Sequence, residues 1–142
     1  SHGTGQIDPD IIRRFLEQPS KDGIKIDPEK LTRQLQEVMW KDGGILRNQQ
    51  GLDKTLDTVK DIQHQAAESS LDASPDEVQR VLELRFAAAT AELVLEAAQK
   101  RDESRGVHFS EDFPDQDDEN WKGALQVQLD SQGEHIWKFQ AI

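Results

Sequence analysis

A chain of 142 residues without cysteine has the size of one compact domain and holds no disulfide, thiolate metal site, iron–sulfur ligand or cysteine nucleophile. Its 28 Asp and Glu against 17 Lys and Arg give a formal charge of −11, which disfavours nucleic-acid backbones and anionic membrane surfaces as unaided partners. Hydrophobic residues make up 35% and charged residues 32%, a balance that suits a few amphipathic helices with long solvated faces.

In chain order, residues 1–4 read as a cloning remnant, and residues 5–26 as a linker or short helix. Asp8-Pro9-Asp10 would cap Ile11, Ile12, Phe15 and Leu16 before Pro19 ends the run. A firmer helix begins at Asp27-Pro28-Glu29, where an N-cap aspartate, a proline at the first helical position and an acid in the first turn coincide. Leu31, Leu35, Val38 and Met39 then form one stripe, and Gly43-Gly44 stops it. A second helix is expected from about Gly51 to Ser69, with Leu52, Leu56, Val59, Ile62 and Ala66 on one face. Ser74-Pro75-Asp76-Glu77 is a capping box that opens a third helix running to Arg101 or Glu103. Its apolar face is expected at Val78, Val81, Leu82, Ala89, Leu93 and Ala97, with small residues from Ala87 to Ala91 allowing close approach.

Three amphipathic helices on short connections predict a mainly α fold, an antiparallel three-helix bundle resembling a spectrin repeat, over residues 27–106. Residues 107–123 are irregular and acidic. Leu125, Val127 and Leu129 then alternate with polar residues, and Ile136, Trp137 and Phe139 follow a turn at Asp130-Ser131-Gln132-Gly133, which reads as a β-hairpin. A lone hairpin is marginal in water, so residues 107–142 are expected to dock on the bundle. No apolar run approaches the roughly 20 residues that span a bilayer, and no signal peptide opens the chain. No direct membrane insertion and a cytoplasmic location are therefore expected.

The chemistry-bearing residues offer little. Asp115, Asp117 and Glu119 have the spacing of the first ligands of a calcium loop, but Asn120 and Gln126 stand where that loop needs glycine and glutamate. His2, His64, His108 and His135 form no His-x-x-x-His pair and have no third ligand at close spacing. Ser104, His108 and Asp112 could suggest a triad, yet no glycine-flanked nucleophile elbow accompanies them. A polar network ending a helix explains them better. Gly43-Gly44 and Gly51 do not compose a dinucleotide or phosphate loop, and Trp40, Trp121 and Trp137 read as packing residues.

One segment is more specific. Glu103-Ser104-Arg105-Gly106-Val107-His108, then Asp112-Phe113-Pro114, then Asp117-Asp118-Glu119-Asn120-Trp121, resembles a signature of the succinate dehydrogenase/fumarate reductase flavoprotein family, of which L-aspartate oxidase is a relative. Upstream, Gln36 to Trp40 and Gly44 to Arg47 are similar to the first helix and turn of that family's C-terminal helical domain. Ser110 stands where succinate dehydrogenases usually carry arginine, and Phe86 where many relatives carry asparagine. The resemblance implies a structural C-terminal domain of an FAD-dependent oxidoreductase of electron transport that acts on succinate and fumarate or on aspartate. It implies FAD in the parent enzyme and none in this fragment, no catalytic or metal-binding residue here, and the flavin domain of the same chain as partner. Whether an iron–sulfur subunit joins the assembly, or partner subunits bring it to a membrane, stays open. Arg105, His108, Asp112 and Trp121 are expected to form a structural or interface network. The competing reading is a stand-alone acidic helical module for protein–protein interaction, and the elaborate Arg105–Trp121 stretch speaks against it.

Overall fold

The computed structural model describes residues 23–69 and 74–142; the helix expected after Asp8 and the remnant expected at residues 1–4 lie outside the described residues. Helix α1 spans Pro28–Lys41, and Asp27 caps it by accepting the Lys30 amide at 3.0 Å. Helix α2 spans Gln49–Glu68 and begins two residues before the expected Gly51, because the Asn48 side chain accepts the Gly51 amide at 2.8 Å and is the cap. Helix α3 spans Pro75–Lys100, with the expected capping box between Ser74 and Glu77. All three N-termini are thus closed by their own flanking side chains.

Cross-helix contacts give the directions. Gln99 near the end of α3 donates to Asp53 near the start of α2 at 2.6 Å, while Arg85 in the first half of α3 reaches Ala66 and Ala67 at the end of α2. Those two helices are antiparallel. Glu29 and Arg80 pair near the starts of α1 and α3, so α1 runs alongside α3. The core is made by Leu31 and Leu35 of α1, Leu52, Leu56, Val59, Ile62 and Ala66 of α2, and Leu84, Ala88, Ala91, Leu95 and Ala98 of α3.

The stripe expected on α2 is the buried one. On α3 the expected face is wrong. Of Val78, Val81, Leu82, Ala89, Leu93 and Ala97 only Val81 is buried, and the buried residues are Val81, Leu84, Arg85, Ala88, Ala91, Leu95 and Ala98. Apolar and small residues surround this helix, so its sequence carries no dominant period, and packing against two neighbours selects the stripe. Small alanines at 88 and 91 sit in that stripe, where they let the helices approach. Arg85, only 8% exposed, gives its Nε to the Ala66 carbonyl at 2.8 Å and its Nη2 to that of Ala67 at 3.1 Å. A cation on the open carbonyls of α2 satisfies both the helix end and the buried guanidinium.

Besides the helices, the described residues form two small sheets. Strand β1, Leu46–Arg47, pairs in parallel with β2, Phe109–Ser110, a pairing for which the sequence gives no alternating pattern. A single turn, α4 (Asp118–Trp121), capped by Asp117, interrupts the stretch expected to be irregular. Strands β3 (Gly123–Leu129) and β4 (His135–Ala141) make the expected antiparallel hairpin, with Val127 opposite Trp137 and Leu125 opposite Phe139. Trp137 Nε1 and His135 Nδ1 both meet Glu96 Oε2 on α3, at 2.8 and 3.0 Å. At the other end of the hairpin Trp121 stacks edge-on against Phe139, centroids 5.3 Å apart. Gly123 is required at this entry, since a Cβ there would lie 2.2 Å from the Gln140 carbonyl oxygen.

Two substitutions test this framework. Leu95 is fully buried, so Leu95→Ala is expected to cost about 2–5 kcal/mol. Ser74→Ala, which removes an N-cap acceptor, is expected to cost about 1 kcal/mol. Urea midpoints with an unchanged m-value measure both, and an unmoved midpoint for Ser74→Ala would place the start of α3 elsewhere.

Candidate functional site

The polar centre of the molecule lies just past the end of α3. Glu103 is fully buried, and its carboxylate takes hydrogen bonds from the Arg101 guanidinium, from Arg105 Nε at 2.7 Å and Nη2 at 2.9 Å, and from the Asp117 amide at 2.9 Å. Arg101 continues to the carbonyls of Trp121 and Gly123, both at 3.1 Å, and lies over the Trp121 ring at 5.4 Å. Arg105 also holds Asp118 at 2.7 Å. The Arg105 hydrogen bonds, then those of Asp117 and Arg101, overcome burial and hold the Glu103 carboxyl at about 2, well below its ordinary 4.5. The same pairing, with that to Asp118, raises the Arg105 guanidinium. A buried carboxylate stays ionised here because donors surround it.

Gly106, at φ +59°, turns the chain where most other residues would be strained. Arg105 and His108 then exchange backbone hydrogen bonds of 2.8 and 3.0 Å. The turn aims the His108 ring at Arg47, whose Nη1 donates to His108 Nδ1 at 2.7 Å while Nε and Nη2 hold the Gly43 carbonyl at 3.3 and 3.2 Å. A guanidinium has no lone pair to offer, so Nδ1 is the acceptor and the ring is neutral with its proton on Nε2. Burial, reinforced by the Arg47 charge, lowers the His108 pKa in agreement. Nε2 is buried and, among the described residues, makes no hydrogen bond of ordinary geometry. Asp112 Oδ2 accepts the Gln49 amide at 2.6 Å, and Glu111 accepts from Asn48 at 2.7 Å. Two carboxylates thus meet the first turn of α2, the positive end of its dipole.

The four residues singled out in the sequence therefore occupy adjoining but distinct places. Backbone bonds join Arg105 to His108. The Arg105 side chain serves Glu103 and Asp118, Asp112 serves α2, and Trp121 lies between Arg101 and Phe139. Glu103, Arg101 and Arg47, which hold the arrangement, were not selected by sequence. Glu103 and Arg47 lie inside the two quoted segments, and only folding shows that both face inward. Ser104 Oγ accepts the Ser110 amide at 2.9 Å and donates to the Phe113 carbonyl at 2.7 Å. Its proton is directed at a carbonyl and not at His108, so Ser104 is not activated as a nucleophile. Asp117 caps α4 through the Asn120 amide at 3.0 Å.

The geometry also bears on a dinucleotide. A helix start can receive a pyrophosphate on its open amides; in α1, α2 and α3 the caps Asp27, Asn48 and Ser74 each take one of them. Among the described residues no glycine-rich turn between a strand and a helix offers a dinucleotide fingerprint.

The description "fumarate reductase flavoprotein C-term" fits residues 32–139. The chain belongs to this family. It is 30% identical over 138 residues to an uncharacterised FAD-dependent oxidoreductase of Methanocaldococcus jannaschii, covering 96% of this chain and 24% of that relative. To an L-aspartate oxidase of Yersinia pestis it is 34% identical over 83 residues, 58% of this chain and 15% of the relative. Among solved structures it resembles FrdA of Escherichia coli quinol fumarate reductase, with TM-score 0.81, 21% identity, and coverage of 94% of this chain and 24% of that one. The likeness to FrdA establishes the shared fold: a mainly helical C-terminal flavoprotein domain closed by an antiparallel strand pair. The chain spans about a quarter of its M. jannaschii relative's length. Flavin-binding is a property of the longer relatives.

Two of the shifted groups, Glu103 and His108, separate by pH. Glu103, depressed from 4.5 to about 2, contributes stability that is complete above pH 4.5 and lost as pH falls through about 2. His108, depressed from 6.5, contributes stability that is complete above pH 6.5 and declines as pH falls toward its lower folded value. Urea midpoints across this range should fall in both windows. Glu103→Gln, which strands two arginines, is expected to cost about 3–5 kcal/mol at neutral pH and to reduce the slope in the acid window alone, where Asp117, Asp118 and Asp130, also held below their ordinary values, supply the rest. An unchanged acid slope in that variant would remove Glu103 from the centre of the network.

Proposed function

We propose that this chain is the C-terminal structural domain of an FAD-dependent oxidoreductase, of the kind that interconverts succinate and fumarate or oxidises aspartate. In this reading residues 27–106 form the bundle and residues 107–142 clasp it. The domain packs on the flavin domain of the same polypeptide, and no group in it performs chemistry. The observation that carries the reading is the commitment of the signature segment's polar groups, His108 Nε2 apart, to internal bonds, in a chain that spans about a quarter of its relative. Ser104, Arg105 and Asp112 each end on a backbone group or a structural carboxylate partner, which leaves no activated nucleophile or base.

The surface supports the proposal. Trp40 is 87% exposed, Ile45 69% and Val107 77%, with Leu46 and Phe109 also exposed. Ile45, Leu46, Val107 and Phe109 lie in or beside the β1–β2 pairing, where the Phe109 amide donates to the Ile45 carbonyl, and Trp40, expected as a packing residue, stands in the last turn of α1. Large apolar side chains gathered at one place mark a surface that another body covers. The flavin domain would do so here, with Arg105, His108, Asp112 and Trp121 fixing the shape of that end from beneath. Among the described residues no helix is long and apolar enough to cross a membrane. The reading places the domain in the cytoplasm, with any membrane association supplied by partner subunits such as an iron–sulfur protein and its anchor.

The test uses the flavin-loaded parent enzyme carrying His108→Ala. Lower thermal stability or weaker flavin retention is expected, with single-turnover flavin reduction unchanged in the enzyme that remains loaded. A loss of about a hundredfold or more in that step, with stability and flavin content intact, is the signature of a missing general acid or base. It would make His108 catalytic and overturn the structural assignment.

A further inference from the structure

Away from the signature segment, Glu92 and Glu96 stand one turn apart on α3 and face His135, the first residue of β4. One ligand atom from each lies within 4.8 Å of the other two. From this geometry we infer that Glu92, Glu96 and His135 bind one divalent transition-metal ion, which staples the hairpin to the bundle. The three residues span two elements and 43 positions of sequence, so no ligand spacing in the sequence announces them.

The donor set suits such an ion on several counts. Two carboxylates and a neutral imidazole balance a double positive charge, and imidazole favours zinc and its neighbours over calcium or magnesium. Ligand atoms in a tetrahedral zinc shell lie roughly 3.4 Å apart, from bond lengths of about 2.0–2.1 Å. The three donors lie within 4.8 Å of one another, and side-chain rotation would have to bring them to that value. An outer layer is already in place: Gln63 Nε2 donates to Glu92 Oε2 at 2.8 Å, and Trp137 Nε1 to Glu96 Oε2 at 2.8 Å. Such bonds orient ligating carboxylates. His135 Nδ1, 3.0 Å from Glu96 Oε2, would exchange its proton for the ion. The competing cation is Lys60, whose Nζ is 3.9 Å from Glu92 and whose side chain is 52% exposed. A solvated ammonium at that distance is held weakly and is displaced by a divalent ion. Lys100, the other nearby ammonium, lies over the Trp137 ring at 5.9 Å. The three donors line a cleft of about 430 Å³ that also includes Gln99 and Glu134, so water can complete the coordination. A two-stranded hairpin is marginal alone, and a bond from β4 to α3 would supply what its own ladder lacks.

The experiment uses the chelator-treated chain with zinc chloride, followed by calorimetric titration and thermal unfolding. One zinc per chain is expected, with Tm raised by several degrees in excess zinc and slower amide exchange along β4. Calcium chloride should leave Tm unchanged. Glu92→Gln and His135→Gln should each weaken zinc binding roughly tenfold or more. Glu92→Gln leaves the Glu96 bonds to His135 and Trp137 in place, so its hairpin stays docked and loss of zinc binding there reports ligation and not unfolding. Absence of one-site binding, or retention of that binding in either variant, would overturn the assignment. An equal response to calcium would do the same, because it would mean a diffuse acidic surface gathering cations.

Discussion

A single carboxylate governs the second half of this molecule. Glu103 is carried into the interior immediately after α3 ends, and an unpaired charge there would cost several kcal/mol. Two arginines and one backbone amide meet it. Each donor is tied to a different piece of chain. Arg101 holds the entry to the hairpin through the carbonyls of Trp121 and Gly123, Arg105 holds α4 through Asp118, and the Asp117 amide brings in the acidic loop. Once the carboxylate is buried, the paths of residues 117–123 follow from the need to satisfy it. The acidic run from Glu111 to Glu119 is thereby divided among separate tasks.

A second set of constraints anchors that half to the bundle. Arg47 leaves the turn after α1, takes the Gly43 carbonyl and reaches His108. Asp112 and Glu111 meet the start of α2. Nothing in these contacts is suited to bond making. They position backbone, and the groups that ordinarily signal catalysis are spent on helix ends and turns. Residues 32–139, the part that matches the family, hold all of these contacts.

The sequence was most informative where one short-range rule acts alone. Asp27 and Ser74 were legible as caps because capping involves side chains within four residues of the amides they serve. The α2 stripe was legible because its other face is charged. On α3 the signal failed, since Leu82, Leu93 and Ala97 are as apolar as Leu84, Leu95 and Ala98, and only the neighbouring helices decide between them. The hairpin was visible from its alternation and turn, but the β1–β2 pairing was not, because two residues per strand carry no period. The signature could be recognised as a segment. Its wiring could not, because the partners of Glu103 and His108 follow from the bend at Gly106 and from Arg47, 61 residues from His108.

The parallel pairing of Leu46–Arg47 with Phe109–Ser110 carries a kinetic consequence. It joins residues 63 positions apart, whereas the antiparallel packing of α2 on α3 starts at a short connection. Closing the long loop costs chain entropy that is repaid only after the bundle has brought its ends together. The bundle should therefore assemble first and the β1–β2 clasp last. In the native state the same clasp is the natural place for a partial opening that leaves the helices intact. Amides of Phe109 and Glu111, bonded across that pairing, would then exchange with solvent by this local route while those in the middle of α2 wait for global unfolding.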